Sequence, residues 1–262
     1  TFDIGTSSVK AGLFDRESRT PVWMHRQRLD TGSGWVAERW VSALQATVDQ
    51  APKPLSLSAV ALSGNGPTII PVGREGQPLA DALLWSDERE LRVAGSASFF
   101  LQKVNWIRRN RPDIADACWQ YMTCPEYLIF LMGGDVHTTS PSVDFDPFVW
   151  TDAELNAYEM PSGQVPPIVR PGAPVGRTNA RTQELFGLPV DVPLFAAGPD
   201  FLMSLLGTDT VRPGTTCDRA GTSEGINHCS ADPISADGVR TLPHVVPGLW
   251  NIAGILSSTG RI

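Results

Sequence analysis

The sequence predicts an α/β fold, and three kinds of segment predict it. The chain opens with two runs of strand-like alternation around a Gly-Thr-Ser-Ser turn, and residues 21–28 add a third strand to form an antiparallel meander. Residues 40–50 carry apolar side chains at helical spacing. Residues 55–62 and 190–197 are apolar runs typical of buried strands. Strands and helices of these kinds within one chain indicate an α/β architecture.

The first hairpin has the chemistry of a phosphate site. Residues 9–13 alternate with the period of a strand, and the turn before them is rich in glycine and hydroxyls. Its backbone N–H groups, hydroxyls and one ammonium surround a small volume that suits a phosphate. Asp3, at the end of the first strand, is suited to hold Mg²⁺ through waters. An ordinary hairpin with a polar tip is the alternative. The candidate phosphate contacts are Gly5, Thr6, Ser7 and Lys10.

Composition narrows the class of protein. The 262 residues are 42% hydrophobic and carry a formal charge of -7, which disfavours nucleic acid or an anionic membrane as the main partner. No apolar run approaches a membrane span, and no leader pattern is present. The four cysteines lack CxxC spacing, so we expect reduced thiols, a cytoplasmic location and no zinc site.

Two loops are candidates for substrate binding. The buried strand at 55–62 leads into the loop Asn65-Gly66-Pro67, and ligand sites in α/β proteins often lie at the ends of such strands. A plain hairpin turn is the alternative there. Asp87 and Arg89 follow a short strand predicted at 83–85. Together they can accept and donate hydrogen bonds to a polyhydroxyl ligand, although a surface salt bridge is the alternative.

The sequence predicts mainly helices and loops in the middle of the chain. A lone histidine in a polar loop, His137, is expected at the surface. Residues 166–176 contain too many prolines and glycines for regular structure. The helical patterns here are residues 99–110, 113–132, 151–158 and 181–186.

Asp200 has two interpretations. It follows the buried strand at 190–197 and precedes an apolar helix at 201–207. An aspartate at a helix N-cap is common and contributes about 1 kcal/mol. The other interpretation is a general base, an ionised carboxylate that accepts the proton of a hydroxyl.

A second turn of the same chemistry follows near residue 221. Predicted strands at 215–220 and 226–229 flank the sequence Gly-Thr-Ser-Glu-Gly. Two hydroxyl-rich turns that face each other would hold a polyphosphate from both sides. An apolar segment then runs from residue 249, and the sequence stops within a pattern, so we expect only part of a second domain.

The order of five segments resembles the FGGY family of carbohydrate kinases, the xylulokinase and glycerol kinase group. The segments are DIGTSSVKAGLFD, a Gly-Trp…Trp helix start, LWSDER, AAGPD and GTSEG. The resemblance implies an actin-like ATPase (ribonuclease H-like) fold with a mixed five-stranded sheet, flanking helices and a partial second domain of the same type. It implies a sugar-binding domain with the first phosphate motif at 1–208, and the beginning of an ATP-binding domain at 209–262.

The resemblance also implies a role for each candidate residue, and it favours the base interpretation of Asp200 without removing its capping role. Asp3 resembles the aspartate that orients the metal. The implied phosphate contacts are Gly5, Thr6, Ser7 and Lys10 in the first motif and Gly221, Thr222 and Ser223 in the second. The implied substrate contacts are Asn65, Gly66, Pro67, Asp87, Arg89 and Asp200.

The implied activity is ATP-dependent phosphorylation of a hydroxyl on a small sugar or polyol, foremost a ketopentose such as xylulose, with ATP and Mg²⁺. Two departures bear on the sugar. The family usually has glutamine followed by Arg-Glu or Met-His where this chain has Gly64-Asn65-Gly66-Pro67, and Phe201 replaces a polar residue after Asp200. The alternative function is an actin-like ATP-binding switch or a sugar sensor without transferase activity. The oligomeric state stays open, with a homodimer as one possibility.

Overall fold

A six-stranded mixed sheet organises most of the molecule. The computed structural model describes residues 1–30, 34–220 and 224–256. The strands are β1 (Phe2–Ile4), β2 (Ser8–Phe14), β3 (Pro21–Arg28), β4 (Val60–Gly64), β5 (Ile70–Val72), β6 (Gln120–Met122), β7 (Thr138–Thr139), β8 (Ile168–Val169), β9 (Pro174–Arg177), β10 (Pro193–Pro199), β11 (Thr216–Ala220), β12 (Glu224–Ser230), β13 (Arg240–Pro243) and β14 (Trp250–Leu256). The helices are α1 (Val36–Asp49), α2 (Leu101–Asn110), α3 (Pro112–Ala117), α4 (Cys124–Leu131), α5 (Asp146–Val149), α6 (Asp152–Ala157), α7 (Ala180–Phe186) and α8 (Asp200–Gly207).

The register of the large sheet brings three strand ends together. Its order is β3-β2-β1-β4-β10-β9, and β4 runs parallel to both β1 and β10. Ile4 and Pro199 both pair with Gly64, the last residue of β4. Because parallel strands end at the same edge of a sheet, the residues that follow these three positions share one side of the molecule.

One face of this sheet is covered by α1, α4 and α7. Trp40 and Leu44 of α1 are fully buried, as are Ile4 of β1, Leu62 of β4 and Phe186 of α7 in the same cluster. Each such side chain stabilises the fold by roughly 1.5–3 kcal/mol through its removal from water. This packing fixes the strand ends that carry the candidate site.

A second apolar cluster packs helices α2 and α8 against two strands of a separate sheet. It joins Leu101 of α2 and Leu202 of α8 to Cys217 of β11 and Leu242 of β13. The latter two strands belong to a separate four-stranded antiparallel sheet, with the order β11-β12-β14-β13. The division of the chain into 1–208 and 209–262 stays a prediction.

The sheet contains one strand more than the five predicted. The sixth, β9, lies at the sheet edge beside β10, inside a stretch that was predicted to lack regular structure together with β8. That expectation for residues 166–176 is wrong, because a proline is compatible with the first position of an edge strand, which is where Pro174 stands.

The predicted helix at 113–132 is two helices separated by a strand. β6 pairs antiparallel with β5 between α3 and α4. Pro125 lies in the first turn of α4, where its missing N–H leaves no helical bond unmade. The short strand predicted at 83–85 is also wrong, since only Leu83 forms an isolated bridge, with Ile69. The β13 strand has no counterpart in the sequence prediction.

None of the helices in the part of the chain described here is long and apolar enough to cross a membrane. The four cysteines are free thiols, and all four are buried.

Candidate active site

The first strand end carries an exposed ion pair. Asp3 and Lys10 lie opposite each other in the register of β1 and β2, and Lys10 Nζ lies 3.0 Å from Asp3 Oδ2. Their side chains are 39% and 55% exposed, so both groups are accessible to a ligand. An exposed pair of this kind adds little to stability, about 0–1 kcal/mol. The predicted metal role of Asp3 and phosphate role of Lys10 stay predictions.

Asp200 begins α8 where β10 ends, beside the same edge. Burial, followed by the charge of Asp3, raises the pKa of Asp200 to about 6, while Arg219, the Phe201 amide and Lys10 oppose the rise. A carboxyl group with a pKa near neutrality is typical of functional sites, because a general base works best when its pKa lies close to the working pH.

The predicted N-cap position of Asp200 is wrong by one residue. Pro199 is the N-cap, and Asp200 is the first residue of the helix. Its Oδ1 accepts a hydrogen bond of 2.7 Å from the amide of Phe201. Among the residues that the structure describes, no donor reaches Oδ2, so this oxygen is available to a substrate hydroxyl.

The first hydroxyl-rich turn is held by a side chain that the motif analysis did not single out. Trp85 donates its indole N–H to Thr6 Oγ1 over 3.1 Å. The amide of Gly5 donates to the carbonyl of Ser8 over 2.9 Å and closes the turn, while the carbonyl of Ser7 accepts from Leu29. The LWSDER segment therefore supports the phosphate turn through its tryptophan.

The second hydroxyl-rich turn, Gly221, Thr222 and Ser223, lies outside the described residues. The residue that faces the site from its strand is Arg219, which sequence reasoning missed. Arg219 lies opposite Gly225 in β12, and a Cβ atom on that glycine would come within 2.7 Å of Arg219 Nη2. Its buried Nε has no hydrogen-bond partner in the described part of the chain. The absence of a side chain at Gly225 thus leaves room for a guanidinium near Asp200.

The loop Asn65-Gly66-Pro67 lines a narrow pocket, but the side chain of Asn65 is already engaged. Its Nδ2 donates to the carbonyl of Ile4 over 3.2 Å, and its Oδ1 accepts from Thr68 Oγ1 over 2.7 Å. Asn65 therefore shapes the loop and ties it to the end of β1. The pocket has a cavity volume of about 30 Å³. Its lining consists of Gly64, Asn65, Gly66, Pro67, Phe99, Phe100, Thr123, Pro125, Glu126, Thr139, Phe145, Val149, Pro199 and Phe201.

Asp87 and Arg89 are not among the residues that line this pocket. They bind each other, with 2.6 Å between Arg89 Nη2 and Asp87 Oδ2, and the hydrogen bond from Arg89 lowers the pKa of Asp87. The guanidinium of Arg89 also lies over the ring of Trp106, and Lys103 donates to the carbonyl of Asp87. Their role as substrate contacts stays a prediction.

His137 is 2% exposed, so its expected surface position is wrong. Its Nδ1 lies 2.8 Å from the carbonyl of Asp135, and its charge opposes the rise that burial causes in the pKa of Glu126. The sequence shows only a polar loop here, whereas the pairing of β7 with β8 carries the neighbouring residues into the interior.

The donor set suits a magnesium ion that arrives with a nucleotide. In the described residues, no group of three or more histidines, cysteines and carboxylates could form a protein cage for a metal. Asp3 and Asp200 do supply two carboxylates at one edge, as the effect of Asp3 on Asp200 shows. Mg²⁺ prefers one or two carboxylates together with phosphate oxygens.

The sequence is similar to those of known carbohydrate kinases. The model of the FGGY family of carbohydrate kinases, N-terminal domain, matches residues 91–207. The match covers less than half of the chain, and over that part the chain is similar to this family. Xylulose kinase from Lactococcus lactis is 21% identical over 99% of this chain and 59% of its own length. Autoinducer-2 kinase from Escherichia coli K12 is 22% identical over 98% and 56%.

A solved structure supports the same fold. The xylulose kinase of Rhodospirillum rubrum superposes with a TM-score of 0.78 at 20% identity, and the alignment covers 99% of this chain and 60% of that kinase. This confirms the predicted actin-like ATPase fold. The chain spans 59% and 56% of the length of the two curated relatives named above.

Proposed function

We propose that the protein containing this chain is a carbohydrate kinase of the FGGY type, which transfers the terminal phosphoryl group of ATP to a hydroxyl of a small sugar or polyol. The observation that carries the proposal is the raised pKa of Asp200 beside the Asp3–Lys10 pair, at the edge where the phosphate turn ends. The family supports the reaction class, and a ketopentose such as xylulose is the first acceptor to test.

In the proposed reaction, Asp200 Oδ2 takes the proton of the acceptor hydroxyl. The hydroxyl oxygen then forms a bond to the terminal phosphorus, the bond from that phosphorus to the bridging oxygen breaks, and ADP leaves. The transition state of phosphoryl transfer is loose, so positioning and charge stabilisation supply most of the catalysis and proton removal is late.

The chain's own groups divide the remaining tasks. The hydroxyls of Thr6 and Ser7 bind phosphate oxygens, Gly5 closes the turn that carries them, and Lys10 and Arg219 neutralise the charge that develops on the phosphate. Gly221, Thr222 and Ser223 are proposed as the opposing contact. Asp3 would hold Mg²⁺, which supplies charge neutralisation between the phosphates when it is bound. The reduced state of the four thiols supports a cytoplasmic location.

A coupled assay of ADP release by the full-length protein tests the proposal, with pentuloses, hexuloses, glycerol and tetritols as acceptors. We expect ADP release that depends on one acceptor class and is lost in Asp200→Asn. The second candidate, a sugar sensor or ATP-binding switch, is motivated by the internally bonded Asn65 and the narrow pocket. Acceptor binding without turnover in any condition would favour it over the kinase.

A further inference from the structure

The pocket beside the Asn65 loop has a polar end that the proposed reaction does not use. Glu126 lies in the first turn of α4 and is 6% exposed. Its Oε1 accepts the amide of Thr139 over 3.1 Å, but its buried Oε2 has no partner in the described part of the chain. Thr123 directly precedes α4, and its buried Oγ1 also has no hydrogen-bond partner among the described residues. Buried polar atoms normally have hydrogen-bond partners, so two such atoms on one pocket wall point to a ligand.

The same pocket extends from Glu126 to the two chain neighbours of the proposed base. Pro199 and Phe201, on either side of Asp200, line its other end. Burial, followed by the charges of Glu126, Asp200 and Asp3, raises the pKa of the Cys124 thiol, so both carboxyl groups act on this one buried residue. Glu126 and Asp200 therefore belong to one electrostatic neighbourhood, and one acceptor molecule can approach both.

The lining defines the chemistry of that acceptor. Four phenylalanines, Phe99, Phe100, Phe145 and Phe201, supply apolar walls, and the lining includes neither a lysine nor an arginine. An anionic group there would be desolvated among the phenylalanines with no lysine or arginine in the lining to offset its charge, and His137, whose charge acts on Glu126, does not line the pocket. The cavity volume of about 30 Å³ has room for roughly two water molecules, since one needs about 10–15 Å³ on this measure, so the deep end receives hydroxyl groups and not a whole sugar.

We propose that Glu126 Oε2 and Thr123 Oγ1 bind a second hydroxyl of the acceptor, one that is not phosphorylated. The acceptor is then a neutral polyol or sugar that places C–H or methyl groups against the phenylalanines. An acceptor of the same carbon number that carries a carboxylate is rejected. This inference rests on the proposed function and names the class of acceptor for its site.

The first test compares Glu126→Gln with the wild type in the full-length protein. Glutamine keeps an oxygen for the Thr139 amide and replaces only the unpaired oxygen, so the unfolding temperature stays within about 2 °C. We expect the acceptor KM to rise about tenfold or more, while the KM for ATP is unchanged. Thr123→Val is a second variant, since the Thr123 side chain makes no capping bond to α4, and a several-fold rise is expected.

Glu154→Gln is the matched control. Glu154 also accepts a backbone amide, that of Ala97, and a hydroxyl, that of Ser96, but it does not line the pocket. We expect this variant to keep the wild-type acceptor KM. An unchanged acceptor KM in both Glu126→Gln and Thr123→Val would overturn the inference.

The second test compares a pentitol or pentulose with the pentonate of equal length. We expect kcat/KM of the wild type to be at least 100-fold higher for the neutral compound than for the pentonate. Glu126→Gln should reduce that ratio. Equal use of the pentonate by the wild type would overturn the inference. Calorimetry of acceptor binding without ATP separates this inference from the reaction. Binding by the wild type that weakens in Glu126→Gln supports the inference even if no ADP is released, and no binding of any neutral acceptor overturns it.

Discussion

Replacement of Asp200 by asparagine should stabilise the protein while it abolishes turnover. The folded protein raises the pKa of this carboxyl group from its ordinary value of 3.8 to about 6. The folded state therefore binds the proton more tightly than the unfolded state does, and stability falls as the pH rises from about 4 through about 6. Asparagine resembles the neutral carboxyl group, and its side-chain oxygen can still accept a hydrogen bond from the Phe201 amide. The variant therefore lacks the loss of stability that ionisation of Asp200 causes.

The magnitude follows from the two pKa values. A shift of one pKa unit corresponds to about 1.4 kcal/mol, so full ionisation in the folded state costs at most about 3 kcal/mol. Proton linkage gives about 1.6 kcal/mol of this at pH 5 and about 3 kcal/mol at pH 8. At roughly 2–4 °C per kcal/mol for a chain of this size, the variant should melt about 6–12 °C higher than the wild type at pH 8.

Thermal unfolding of the full-length wild type and Asp200→Asn, without nucleotide and at pH 5 and pH 8, measures the effect. Asp237→Asn is a control, because Asp237 lies on an exposed stretch of chain and its charge is not expected to matter for unfolding. Turnover measured in parallel should fall by about 10²–10⁴ in Asp200→Asn, which is the contribution of general acid–base groups. An equal or lower melting temperature at pH 8, or no growth of the difference with pH, would refute the argument that Asp200 is held ionised against a penalty.

Three further predictions concern the groups around this carboxylate. In the wild type, kcat/KM should fall as the pH drops below an apparent pKa of about 6. Asp3→Asn should shift this fall to lower pH, because Asp3 raises the pKa of Asp200. A shift to higher pH contradicts the assignment. Arg219→Gln should lower kcat by about 10–100-fold and move the same limb to higher pH, which a pH profile of initial rates measures. Trp85→Phe should raise the KM for ATP about fivefold through loss of the bond to Thr6, and an unchanged KM for ATP would place that bond outside the nucleotide site.

The sequence was sufficient to predict that three of the candidate segments follow directly after strands, while their role in a site stays a prediction. The turn after β1, the loop after β4 and Asp200 after β10 are each signalled by glycine, proline or an acid at the end of an apolar run. The structure brings the three segments to one side of the molecule because β1, β4 and β10 are parallel neighbours, whereas in the sequence only the order of the five motifs linked them.

What the sequence could not show depends on contacts between distant segments. Glu126 is an ordinary polar residue near a helix start until the Thr139 amide and the pocket walls bury it, and His137 is buried by the pairing of β7 with β8. Arg219 is separated by 19 positions from Asp200, and only the approach across Gly225 brings its charge to that carboxyl group. The apolar spacing at 113–132 likewise continues through β6, so periodicity alone could not reveal the break.

The two ends of the candidate site differ in charge. Lys10 and Arg219 are cations near the phosphate turn, whereas Glu126 is a carboxyl group at the deep end of the pocket among phenylalanines. Under the proposed function, a triphosphate is expected at the cations of the first end, whereas burial among phenylalanines disfavours it at the second, so donor and acceptor should occupy different ends. A net charge of -7 is therefore compatible with nucleotide binding, because the local field at the turn, and not the charge of the whole chain, decides where the phosphates lie.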